Sequence, residues 1–338
     1  MKDNRHILLT FDHELFLGVR SGTVEKCLIE PTESLLRIFD EFDVRGAVFF
    51  LDTTWLIRLR RENGKLFRDD FEKIRNQVGL LLEKGHFVFP HIHPHWCDAE
   101  VFQEREWRLT NLSKYTFKNC DAALQQRLWK ESIEILKEFG VEKYHPIDSF
   151  RAGGWSIQPF ENFQSFFNGY GIQHDFTVLP GTFSWTNAQQ YDFTSIQSQK
   201  AYRFTTEVTQ PDSKGKYWEI PISVRNENAK RSFSERLWLR YQTMKGDHSY
   251  GDGQGVIPEN VAFHPKNAAL DVRMLSIELM HTLNLKAHKR MVDQTEYLHF
   301  ISHPKMLSPH NLINFKKFLN YASGKFNLDF NFRSFLTE

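Results

Sequence analysis

Short apolar runs alternate along this chain with segments whose apolar residues recur at helical spacing. That alternation constrains the fold more than any other feature. Residues 7–11 and 47–51 read as strands, while 31–42 set Leu35, Leu36, Ile38, Phe39 and Phe42 at the spacing of one helical face. Helical patterns occur at 69–84, ending before Gly85, at 122–139, stopped by Gly140, and at 160–170. Further strands are predicted at 87–89, 149–150, 175–178, 218–222 and 297–301, then a helix over 307–323 and a strand over 326–332. Strand and helix alternating through short connections predict parallel strands joined by crossover helices. In barrels built this way, the chemistry sits at the carboxyl ends of the strands.

The residues at the carboxyl end of each strand are therefore informative. The first strand ends in Thr10-Phe11-Asp12-His13-Glu14, the third in His91-Ile92-His93-Pro94-His95, the fourth in Arg151-Ala152-Gly153-Gly154-Trp155, and a late one in Ser302-His303-Pro304. Packing alone does not place acids, bases and metal-ligand types at one end of successive strands.

Composition narrows the class. At 338 residues the chain suits a single α/β barrel, with a loop-rich insertion expected over 201–256 where polar and glycine-rich runs interrupt the pattern. A net charge of +1 offers no broad basic face for nucleic acid or an anionic membrane. Cys27, Cys97 and Cys120 are too few, and odd in number, for a disulfide framework, and no C-x-x-C pair marks a structural zinc site. No apolar run reaches the length of a membrane span, and no signal core precedes the first strand, so a cytoplasmic setting is expected. The oligomeric state is open.

His91 and His95 are four apart, which on a helical turn brings their β-carbons to about 5–6 Å. If the segment is extended, His91, His93 and His95 point the same way. If it turns at Pro94, the outer pair faces the site, and that reading is preferred. One histidine here would read as a hydrogen-bonded core residue; three in five residues favour a divalent metal. Zinc is the first expectation, with cobalt, iron or nickel as alternatives. A third ligand is expected from Glu14 or His13. Asp12 is the expected general base, held ionised by Arg151. His303 is the expected general acid, with His264, in the repeated His-Pro-Lys pattern, as rival. Trp96, Gly154, Trp155 and His93 are expected to contact substrate.

These residues, in this order, resemble the polysaccharide deacetylase family, also called the NodB-homology domain or carbohydrate esterase family four. Thr10-Phe11-Asp12 matches its first motif, with His13 where the family has a metal-binding Asp. Asp12-His13-Glu14 is similar to a branch with base and ligand two apart, which favours Glu14 over His13. Gly85-His86 and then His91 and His95 keep the spacing of its second motif. Arg151 matches its Arg-x-Pro-x-Tyr motif, but Gly153 and Trp155 replace Pro and Tyr; in the family this segment lends a backbone N–H to the oxyanion. His303 corresponds to its acid, and Asp175 is the candidate for the Asp that orients it. Longer strings, 12–18, 93–96 and 150–159, look like a branch encoded with bacterial surface-polysaccharide genes. The resemblance implies an incomplete (β/α) barrel of about seven strands and a metal-dependent deacetylase of an N-acetylated sugar or oligosaccharide. The alternatives are a hydrolase of a non-peptide C–N bond in a small amide, or a non-catalytic carbohydrate-binding relative.

Overall fold

The first strand, β1 (Asn4–His13), is central, buried on both faces from Ile7 to His13. The computed structural model describes residues 2–109, 111–186, 189–226, 237–238, 240–241, 243–244, 246–255 and 272–336. β1 is flanked by β2 (Val48–Asp52) and β8 (Tyr297–Ser302), and the sheet continues from β2 through β3 (Phe87–Ile92), β4 (Ser149–Ala152), β5 (His174–Asp175) and β7 (Tyr217–Glu219). From β8 to β7 these seven strands are parallel throughout. An antiparallel strand, β6 (Tyr202–Phe204), finishes the β7 edge, and β9 (Asn327–Asp329) pairs with the start of β1. The sheet curls but does not close by a ladder. Between β7 and β8 the gap is spanned by single bonds, Ser223 N to His299 O at 3.1 Å and His299 N to Ser223 Oγ at 2.9 Å. This is the incomplete barrel that the motif resemblance implies.

Helices return the chain between parallel strands, as parallel pairing requires. They are α1 (Glu30–Glu41), α2 (Thr53–Arg61), α3 (Lys65–Glu83), α4 (Ala122–Glu138), α5 (Glu161–Tyr170), α6 (Leu285–Gln294) and α7 (Pro309–Lys325). Local signals set their starts. Asp121 caps α4 through Leu124 N at 2.8 Å, and Ser308 and Asn311 form a reciprocal capping box on α7. α2 has no counterpart among the helices expected from periodicity, yet Asp52 caps it through Trp55 N. The closing strand is shorter than expected, because Phe332–Phe335 turns into a helix.

Two apolar layers result. The larger lies between the sheet and the helices. The smaller fills the barrel floor with Leu8, Val48, Phe50, Phe89, Phe176, Ile220 and Phe332. Alternation along β1 explains the division: Leu8 joins the floor, while Ile7, Leu9 and Phe11 join the outer layer. Above the floor the inward positions turn polar, and the site begins there.

The described residues of 201–256 include regular structure. They supply β6 and β7, and 250–254 lies as a packed strap: Gly251 N donates to Lys305 O, Tyr250 N to Leu307 O, and Gln254 N to Arg20 O. Asp252 accepts from both Thr23 N and Thr23 Oγ1. A Cβ on Gly251 would meet Phe16 at 2.5 Å, so only glycine passes there. No helix among the described residues is long and apolar enough to cross a membrane.

Candidate active site

The period of two that sorts the core also sorts the first motif. Leu8, Thr10, Asp12 and Glu14 share the inner side of β1 and its continuation, and His13 falls on the outer side. There His13 Nε2 lies 2.8 Å from Gln77 Oε1 on α3, and burial drives its pKa down to about 4. Of the two candidates for third ligand, the structure brings Glu14 into the site and takes His13 away.

The second motif also divides by local geometry. β3 stays extended through Ile92, and His93 keeps an extended backbone (φ −114°, ψ 87°). The 3₁₀ turn begins only at Pro94. His91 and His93 therefore point the same way, and His95 is carried round the turn. Its ring lies 4.9 Å from Tyr115, nearly parallel at 19°, and both its nitrogens lack hydrogen bonds among the described residues. Burial, then the neighbouring His93, holds its pKa well below the usual imidazole value. Where His91 was expected to pair with His95, the structure brings His91 together with His93 instead. Pro94 does start a turn, but one residue too late for a turn spanning 91–95.

Glu14, His91 and His93 offer the one group of three convergent ligand atoms among the described residues. Glu14 Oε2 is 2.7 Å from His93 Nε2 and 3.5 Å from His91 Nε2, and the two Nε2 atoms are 2.9 Å apart. Atoms bound at about 2.0–2.2 Å to one zinc would be separated by roughly 3–3.5 Å, so the triangle has the right size. The chemistry also fits. His91 Nδ1 donates to the Arg151 carbonyl at 2.8 Å, which leaves Nε2 as the lone-pair atom of the neutral ring. Glu14 Oε2 is buried and, despite its short approach to His93, has no hydrogen bond of acceptable geometry. A divalent cation would satisfy that oxygen.

Lys305, not expected at the site from the sequence, holds the other Glu14 oxygen. Its Nζ donates to Glu14 Oε1 at 2.8 Å and to Leu15 O at 2.7 Å. Burial alone would raise the Glu14 pKa, but Lys305, His93 and His91 together hold it well below the usual value. The second His-Pro-Lys pattern was the available signal. His264 and Lys266, in the first, lie outside the described residues.

Asp12 sits beside this triangle, its Oδ2 3.7 Å from His91 Nε2. Its Oδ1 accepts from Arg151 Nη1 at 2.5 Å. Burial pushes the Asp12 pKa up, and Arg151, His91 and His303 outweigh it, so Asp12 stays ionised. Arg151 is 1% exposed and anchored by Thr10 Oγ1 at 2.7 Å and Phe176 O at 3.0 Å. Its guanidinium lies 4.3 Å from the Phe50 ring centroid on the barrel floor.

His303 Nε2 faces Asp12 Oδ2 at 3.7 Å and Glu14 Oε1 at 3.8 Å across the site. Glu278, not Asp175, orients it: Glu278 Oε1 is 3.1 Å from His303 Nδ1, and Oε2 accepts from His303 N at 2.6 Å. Burial works against a proton on His303, but Glu278, Asp12 and Glu14 raise its pKa to about 9. Asp175 lies deeper in the barrel, where Thr177 Oγ1 donates to it at 2.7 Å and Glu219 faces it across the β5–β7 ladder. Burial raises both pKa values; Asp175 pushes that of Glu219 up further, while the hydrogen bond with Glu219 works to lower that of Asp175. Glu278 had no motif to reveal it, since it precedes β8 in an irregular stretch and only folding brings it to His303.

Asp12, Glu14, His91, His93 and His303 line a cavity of about 100 Å³. Its wall includes Tyr115, Gly154, Trp155 and Gln189. Trp96 is not part of it: it is fully buried, and its Nε1 donates to Asp52 Oδ2 at 2.5 Å. Gly153, where the motif has Pro, and Gly154 beside it answer to space. A Cβ on Gly153 would fall 2.5 Å from Ile92 O and 2.8 Å from His93 Nδ1, and one on Gly154 would fall 2.6 Å from Tyr115 Cε1.

No family model matches the chain. No curated protein matches it by sequence. Among solved structures, it is similar to a Mycobacterium smegmatis protein provisionally described as a polysaccharide deacetylase, at 13% identity and a TM-score of 0.49, covering 99% of this chain and 90% of that one. It is also similar to the 4-alpha-glucanotransferase from Thermococcus litoralis, at 12% identity and a TM-score of 0.47, covering 98% of this chain and 38% of that one.

Proposed function

We propose that this chain is a metal-dependent hydrolase that removes an acyl group, acetyl in the first instance, from the nitrogen of an N-acetylated carbohydrate. The observation that carries the reading is the convergence of Glu14 Oε2, His91 Nε2 and His93 Nε2 beside Asp12 and His303. Its motif order supports the same reading.

In this proposal Glu14, His91 and His93 hold the ion. When bound, a divalent cation there supplies Lewis acidity toward a carbonyl oxygen and acidifies water. Asp12, kept ionised by Arg151, accepts the proton of the attacking water. His303, kept protonated by Glu278, donates its Nε2 proton to the leaving nitrogen as the C–N bond breaks. The products are a carboxylic acid and an amine. An acyl group would enter this cavity of about 100 Å³, and the sugar would lie at its mouth, against Trp155 and Gln189.

Metal analysis of the purified protein, with acetate release measured on a panel of N-acetylated mono- and oligosaccharides, tests this. One divalent ion per chain is expected, with acetate release abolished in D12N and in H93A. If zinc-loaded protein releases no acetate from the panel but cleaves small formamides, the substrate class is wrong. If H93A and D12N keep full activity, the catalytic assignment fails.

A further inference from the structure

Tyr115 belongs to none of the motifs, yet it stands in the wall of the cavity that Asp12, Glu14, His91, His93 and His303 line. It comes from the connection between β3 and α4. That connection runs through a hairpin (Glu100–Phe102 with Glu106–Arg108) and a turn in which Tyr115 N donates to Leu112 O at 3.0 Å. Its ring is held on two sides. One face stacks on His95 at 4.9 Å, and its Cε1 edge presses on Gly154 so closely that no side chain fits there. Gln189 Nε2 donates to Gly154 O at 2.7 Å and ties down the far side of that contact.

Within this clamp the phenol oxygen is the group left over. Among the described residues nothing accepts from it or donates to it, although the ring lines the same cavity as Asp12, Glu14 and His303. Tyr115 is only partly buried, so its hydroxyl can be reached through the cavity by a partner that arrives with the substrate.

We infer that Tyr115 is a catalytic residue whose hydroxyl donates a hydrogen bond to the acyl oxygen of the substrate, strengthening as negative charge gathers on that oxygen. The inference rests on the acyl-hydrolase reading above and adds a residue to it. No bond to Tyr115 forms or breaks, and its proton stays on the phenol throughout. Burial supports this by raising the phenol pKa, so the group remains a donor at any working pH. The assignment also accounts for three oddities of the sequence together. Gly154 stands where a side chain would displace the Tyr115 ring. Trp155 replaces the tyrosine expected of the motif, and a tyrosine enters the cavity from another loop. His95 keeps its place in the histidine string as the stacking platform for Tyr115.

The test is Y115F, which keeps the ring and removes one oxygen, with zinc-loaded enzyme throughout. On 4-nitrophenyl acetate, kcat should fall about 100-fold, the scale for deleting one donor to a developing oxyanion, with KM within about twofold. Acetate binding, followed by calorimetry and independent of turnover, should weaken about tenfold or more. Zinc content should be unchanged. A Y115F enzyme that keeps kcat and acetate affinity within twofold of wild type overturns the inference, as does a loss that appears only in zinc content. Weakened acetate binding in Y115F, in a protein whose wild type hydrolyses no acetyl compound, would uphold Tyr115 as the acyl-oxygen donor and remove the deacetylase reading.

Discussion

Replacing Arg151 by Met, alone and together with D12N, puts the centre of the site to a quantitative test that needs neither metal nor substrate. Arg151 and Asp12 are both buried, and the contact between them is 2.5 Å. Breaking a buried pair by removing one partner costs about 3–5 kcal/mol, because the other charge is left unsolvated. Here R151M strands the Asp12 carboxylate and also removes the donors to Thr10 Oγ1 and Phe176 O. For a chain of 338 residues, roughly 2.1 cal/mol/K of unfolding entropy per residue gives about 0.7 kcal/mol/K. A loss of about 4 kcal/mol therefore lowers the melting temperature by about 6 °C. D12N with R151M removes both charges, so the double variant should be less destabilised than the sum of the singles, by about 2 kcal/mol or about 3 °C. The pH dependence has a definite sign. The wild-type Asp12 pKa is depressed below its ordinary 3.8, so the pair contributes stability above that value and loses it as pH falls through the folded pKa. In R151M burial is no longer offset by the guanidinium, Asp12 takes up a proton more readily, and the gap between variant and wild type narrows on acidification. Differential scanning calorimetry on the four proteins at neutral and acid pH measures all of this. Strict additivity, or an R151M melt within about 1 °C of wild type at neutral pH, would refute the reasoning.

Three further outcomes are expected. E278Q takes away the main support for the His303 proton, so the alkaline limb of the rate profile should move from about 9 toward the ordinary imidazole value near 6.5; a limb that stays put would exclude Glu278 as the group that sets it. H93A should weaken zinc binding about 100-fold or more while H95F leaves it within a few-fold, as read by competition with a chromogenic chelator; the reverse pattern would restore His95 as the ligand. G154A adds a Cβ 2.6 Å from Tyr115 at a backbone φ of 60°, and should cost about 2–3 kcal/mol in a thermal melt and lower kcat by displacing the Tyr115 ring; unchanged melting would show that the loop yields without cost.

Periodicity and strand-end chemistry made much of the fold legible. The alternation of apolar runs and helical faces was enough for the parallel sheet and its crossover helices, because both patterns are local consequences of backbone geometry. The same locality put Asp12, Arg151 and His303 at one end of the barrel. Where two residues competed within one strand, a period of two could have chosen between them. Glu14 shares Asp12's face and His13 does not. His95 was harder, because it depended on whether the turn began before or after His93, and Pro94 alone does not fix the starting residue.

The rest depended on contacts between residues far apart in the chain. Glu278 and His303 are separated by 25 positions, and Lys305 and Glu14 by 291, so no local pattern records either pair. Asp175 is the orienting acid that the family resemblance offers, but the fold sets it against Glu219, below the site. Tyr115 enters from a loop whose course is set by packing on Gly154 and His95. The sequence by itself determined which strand ends carry reactive groups. Only the tertiary structure decided which of those groups face one another, because that depends on barrel curvature and on side chains meeting across long loops rather than on spacing along one strand.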